Sequence, residues 1–107
     1  MSKNFKVAVH VPVTHTDVVR QAIGDAGGGR IGEYSHCTFT IRGTGSYKGS
    51  DSSNPFNGTA GQLEFPEEDR IEVTVKDIDL ESVVAAIKSV HPYEEPTIDI
   101  YPLAEIT

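Results

Sequence analysis

The chain has 107 residues, a formal charge of −7 from 16 acidic and 9 basic residues, and a single cysteine. That length suits one domain spanning 1–107 with one core. The acidic balance excludes a general nucleic-acid binder, which needs clustered Lys and Arg, and disfavours contact with anionic lipid. Eleven valines and 9 isoleucines against 3 leucines favour strands, because β-branched side chains suit a pleated surface. Cys37 has no partner for an internal disulfide, so a reducing, cytoplasmic setting is expected. Met1 to Asn4 leads into only a short apolar alternation, so no signal peptide is expected, and no stretch approaches the ~20 apolar residues of a membrane span.

Phe5, Val7, Val9 and Val11 alternate with polar or small residues, the pattern of a half-buried strand, and Pro12 stands at its end. Thr14 is read as the cap of a following helix with Asp17 in its first turn. Val18, Val19, Ala22, Ile23 and Ala26 form that helix's apolar face, and Gly27-Gly28-Gly29 ends it. Tyr34, Cys37, Phe39 and Ile41 are assigned to a second strand, with Thr38, Thr40 and Arg42 on its other face. Tyr34 and Cys37 are out of phase, which predicts a bulge or a late strand start near Ser35.

Residues 43–61 are rich in glycine, serine and asparagine, with few apolar side chains, among them Tyr47 and Phe56. The pattern predicts a long loop, and such loops in compact domains are usually functional or disordered. Leu63 and Phe65 are read as the start of a returning strand, Pro66 to Asp69 as an interruption, and Arg70 to Val75 as its alternating continuation. Asp77 or Asp79 is expected to cap a second helix with a stripe of Leu80, Val83, Val84, Ile87 and Val90. His91 stops it, because the residue before Pro92 is pushed out of the α region. Thr97 to Leu103 completes the set as a last strand.

The order β-α-β-β-α-β predicts an α+β, ferredoxin-like fold: a four-stranded antiparallel sheet with two helices on one face. The other face then needs a partner unless it is polar.

Gly27 to Gly32 spells G-x-G-x-x-G, but it follows a helix and precedes a strand, the reverse of the dinucleotide fingerprint. It is read as a flexible turn. Asn57-Gly58 is read as a second turn, supplying positive φ. Cys37 is read as a small buried residue, its neighbour His36 pointing to the opposite face.

His91-Pro92-Tyr93-Glu94-Glu95-Pro96 stands out, since two prolines four apart stiffen the backbone between them. One reading is a rigid helix-to-strand connector with His91 at the helix C-terminus. Another is a divalent-metal or proton-transfer site using His91, Glu94 or Glu95, and His36, residue types that suit Zn²⁺ or Cu²⁺. No nucleophile elbow or glycosidase-like carboxylate pair is recognisable. Catalysis would need a site between subunits, where His91 of one chain meets Tyr or Glu of another.

Gly29-Arg30-Ile31-Gly32-Glu33-Tyr34-Ser35-His36-Cys37-Thr38-Phe39, then Asn54-Pro55-Phe56, Gly61-Gln62-Leu63-Glu64, Arg70-Ile71-Glu72 and His91-Pro92-Tyr93-Glu94-Glu95-Pro96 run in register with one known domain. The chain resembles a freestanding copy of the PII/CutA-like domain inserted in bacterial proteins of the YqfO, or Nif-three-like dimetal, family. The resemblance covers nearly the whole chain. It implies a ferredoxin-like fold, self-association with a trimer favoured, and a regulatory or assembly role. PII proteins carry a long loop at the position of 43–61, and this polar loop is itself read as the segment that contacts a small ligand or a protein partner. The two halves that hold the dimetal centre in that family have no counterpart here, so hydrolase or cyclohydrolase activity is not implied. Tyr47, Gly49, Ser52-Ser53 and Asn57 depart from the family pattern, which predicts looser packing at the end of the loop.

Overall fold

A computed structural model describes residues 3–105. Met1, Ser2, Ile106 and Thr107, where the readings of chain start and domain limits fall, lie outside the described residues. The elements are β1 (Asn4–Pro12), α1 (Thr16–Asp25), β2 (Phe39–Thr44), β3 (Tyr47–Lys48), β4 (Leu63–Glu64), β5 (Glu67–Lys76), α2 (Leu80–Val90) and β6 (Ile98–Pro102). A single 3-10 turn leads into each helix, Val13–His15 before α1 and Asp77–Asp79 before α2. Four strands form one sheet in the order β2-β5-β1-β6, every neighbouring pair antiparallel. This is the expected α+β, ferredoxin-like arrangement. No helix among the described residues is long and apolar enough to cross a membrane.

The register decides which face is which. Val7 lies opposite Val73 and Val9 opposite Ile71, so these side chains share one face. Val11, Val75, Val19, Ile23, Val83 and Ile87 join them in a continuous buried cluster between the sheet and both helices. Each of these side chains contributes about 1.5–3 kcal/mol by leaving water. The opposite face is largely polar, with Lys6, His10, Arg70, Glu72 and Thr74 in its centre.

Several local expectations are corrected. Neither helix has a side-chain cap: Thr14 bonds the His15 ring instead, and Asp79 caps nothing. At α2 the 3-10 turn substitutes in part, its Asp77 carbonyl accepting the Leu80 N–H. Val18 points to solvent, leaving Val19, Ala22, Ile23 and Ala26 on the inner side of α1. The second strand starts late, at Phe39, so His36 and Cys37 precede it rather than alternating on it. Cys37 is half-buried, and His36 adopts a positive φ of 61°.

Pro66 to Asp69 does not interrupt the returning strand. β5 runs unbroken from Glu67, while Leu63–Glu64 pairs with Tyr47–Lys48 in a separate two-stranded ribbon. Pro66 marks the junction, its carbonyl accepting from the Gly45 N–H. Within the stretch read as loop, Gly43 and Thr44 finish β2 and Tyr47–Lys48 forms β3.

The glycine run is a helix stop, as its position implied. Gly28 N–H donates to the Ile23 carbonyl and Gly27 N–H to that of Gly24, with Gly27 at φ 108°. That pair of bonds is the Schellman arrangement, which needs a left-handed residue just past the helix.

Candidate functional site

The stiff connector 91–96 returns from α2 to the sheet beside the start of β5, and the long loop folds over it. His91 is 9% exposed. Its Nε2–H donates to the His10 carbonyl at 2.7 Å, and its Nδ1 accepts the Tyr93 N–H at 3.1 Å. A ring with one donor and one acceptor nitrogen is neutral imidazole. Burial holds His91 below the ordinary histidine pKa, partly offset by the His10 carbonyl.

Tyr93 lies at the centre of an aromatic group. Its ring centroid is 4.9 Å from His91 and 6.3 Å from both Tyr47 and Phe56. Phe56 in turn meets His15 edge-on at 5.3 Å, so the loop reaches the turn before α1. The Tyr93 hydroxyl donates to Glu68 Oε2 at 2.5 Å. Burial first, then the Glu68 carboxylate, pushes the phenol far above its usual pKa. Two further bonds pin the loop: Asn54 N–H to Glu94 Oε1 at 3.1 Å, and the Tyr47 hydroxyl to the Asn57 carbonyl. The loop is thus tied to the connector at Asn54, while Phe56 to Thr59 stay exposed.

Between loop and connector lies a cavity of 490 Å³. Tyr47, Phe56 and Tyr93 supply its aromatic wall, Glu68, Glu94 and Glu95 its carboxylates, and Lys48 and His10 its remaining ionisable side chains. Such a surface can bind and orient a partly apolar molecule. The Glu68–Tyr93 pair holds its proton on the phenol.

The four residues considered for metal are not brought together. His36 sits at the end of α1, its Nε2 3.0 Å from Asp25 Oδ1, Nδ1 2.9 Å from Ser35 Oγ, and its ring against Gly24. Both ring nitrogens of His91 are engaged within the fold. Glu94 and Glu95 reach the cavity, but no group of three or more His, Cys, Asp or Glu poised for a metal occurs among the described residues. Of the family-motif positions, Gly29, Arg30, Gly32, Tyr34 and Cys37 belong to the turn before β2. There Ile31 bridges Tyr34, and Gly29 accepts from the Cys37 N–H at 3.0 Å. Pro92, Tyr93, Glu94, Glu95 and Pro96 belong to the connector.

Glu68, His10 and His15 are the members of this group that the sequence pattern does not single out. The signal for Glu68 was its period-two phase with Arg70 and Glu72, obscured by Pro66. Tyr47 and Phe56 did stand out, as rare rings in a polar stretch.

No family model matches the chain. It is 54% identical over 100 residues to a GTP cyclohydrolase 1 type 2 homolog of Halalkalibacterium halodurans, covering 94% of this chain and 27% of that protein. A Bacillus cereus protein related to NIF3, of known structure, superposes with a TM-score of 0.81 at 45% identity, over 97% of this chain and 26% of that one. The chain has a CutA-like fold and is similar to one segment of NIF3-related proteins. It spans about a quarter of the length of those relatives. CutA1 from a psychrotrophic Shewanella shares the fold at a TM-score of 0.71 and 12% identity, covering 99% of the domain and 86% of that chain.

Proposed function

We propose that the domain is a non-catalytic, self-associating regulatory or assembly module acting in the cytoplasm, with its long loop and connector forming the surface that reads a small ligand or protein partner. The observation that carries the self-association is the β2 edge. All six of its residues are exposed, and its outer side pairs with no other strand among the described residues. Phe39 and Ile41, 65% and 46% exposed, lie opposite Glu72 and Arg70 on the sheet face that the helices leave open. An unpaired edge flanked by apolar side chains is the surface a second copy can complete. A trimer is the arrangement that the resemblance to PII and CutA proteins favours. The activity in the relatives' name is not part of the proposal, since the domain spans 27% of such a protein.

Sedimentation and native mass spectrometry over a wide concentration range test the reading. A closed oligomer is expected, and Ile41→Lys should convert it to a folded monomer. A wild-type domain that is monomeric throughout sinks the proposal.

A further inference from the structure

We infer that the cavity between the long loop and the connector takes a small organic cation with a flat apolar body, one carrying an amidinium or guanidinium group. This rests on reading that cavity as the module's ligand site and names what the site selects. Three carboxylates, Glu68, Glu94 and Glu95, line it against one lysine, Lys48. The rings of Tyr47 and Phe56 tilt by 54° and 51° to that of Tyr93, so they do not stack face to face. The negative face of a ring that lines a cavity attracts a cation. Carboxylates and rings therefore favour the same charge, and both disfavour an anion.

The three carboxylates differ in what they are free to do. Glu68 receives the Tyr93 hydroxyl and Glu94 the Asn54 N–H, which orients them. Glu95 is exposed and takes part in no hydrogen bond among the described residues. Its two oxygens match the parallel N–H donors of an amidinium or guanidinium fork. The volume of 490 Å³ is in the range of small-molecule pockets. The net charge of −7 draws cations from a distance as well.

Benzamidine, benzamide and benzoate share a shape and differ in charge. Each is titrated into the full chain at low salt while the backbone amide NMR signals of Tyr93, Glu94 and Glu95 are followed. Benzamidine should shift these signals, bind about tenfold more tightly than benzamide, and weaken in about 0.5 M sodium chloride. Glu95→Gln, at an exposed position that does not support the fold, should weaken benzamidine about tenfold with an unchanged unfolding midpoint. Benzoate binding as tightly as benzamidine, or an unaffected Glu95→Gln variant, overturns the cation class while leaving the cavity a ligand site. If none of the three moves these signals up to about 10 mM, the cation class and the ligand-site reading both fail.

Discussion

His91 Nε2 donates to the backbone carbonyl of His10 at 2.7 Å, joining residues 81 apart in sequence. The bond anchors the connector to β1 beyond the last β1–β6 rung, where His10 N–H reaches the Thr97 carbonyl only at 3.3 Å. It works only with a neutral ring, because Nδ1 must accept from Tyr93.

His91 should therefore make stability fall on mild acidification. Its pKa is lowered in the folded state, so the folded chain binds fewer protons at this site than the unfolded one. The full contribution is present above about pH 6.5. It declines below that value by up to ~1.4 kcal/mol per pH unit, until the folded pKa is passed. Urea unfolding between pH 5 and 8 checks this against His91→Asn. The variant should lose about 2 kcal/mol at pH 7.5 and show a shallower acid slope. Identical slopes would assign the effect to other groups.

Removing the Tyr93 hydroxyl tests how the loop is held. Tyr93→Phe keeps the aromatic contacts and deletes the bond to Glu68, so a loss of about 1–2 kcal/mol is expected. Amide exchange in residues 45–57 should accelerate more than exchange in β1. Unchanged protection there would mean that the rings and the Asn54–Glu94 bond fasten the loop without the phenol.

A second long-range contact ties β5 to β2 and to the start of α1. Asp69 is 3% exposed on the helix-facing side of β5, and receives Arg42 Nε and Thr16 Oγ1, both at 2.6 Å. The Arg42 guanidinium above all, with help from Thr16, holds its carboxyl below the usual value against the effect of burial. Its stabilisation is thus complete above about pH 4 and disappears as pH falls through the lower folded pKa. A double-mutant cycle of Asp69→Asn with Arg42→Met should give a coupling of about 1–2 kcal/mol. A coupling near zero would reduce the pair to a surface contact.

Two glycines of the turn before β2 should respond differently to alanine. Gly29 and Gly32 both have positive φ, 77° and 56°. A Cβ on Gly29 would lie 2.3 Å from the Cys37 carbonyl oxygen, whereas at Gly32 it meets nothing within 4 Å. Gly32→Ala should cost about 1 kcal/mol, the strain of the left-handed backbone alone. Gly29→Ala should cost at least about 2–3 kcal/mol more, measured by denaturant midpoints at constant slope. Equal losses would show that the turn relaxes around the added methyl.

Periodicity and turn chemistry made legible the α+β order, the inner residues of β1 and β5, the helix stripes apart from Val18, and both helix stops. These follow from periods of 2 and 3.6, from Gly27, and from the constraint Pro92 places on His91, all of which act within a few residues. The sequence also marked the connector 91–96 as unusual. Tertiary structure alone decided the rest. Whether Phe39 and Ile41 face the helices or the open side depends on the β2–β5 register, which sets Arg42 rather than Ile41 beside Asp69. His91 is a structural anchor, with both ring nitrogens engaged inside the chain, because the fold carries the β1 carbonyl to it. Glu68 meets Tyr93 because β5 passes beside the connector, and Tyr47 and Phe56 meet it once the polar loop has folded back. Contacts across such separations leave no local periodicity, so only the closed fold makes them visible.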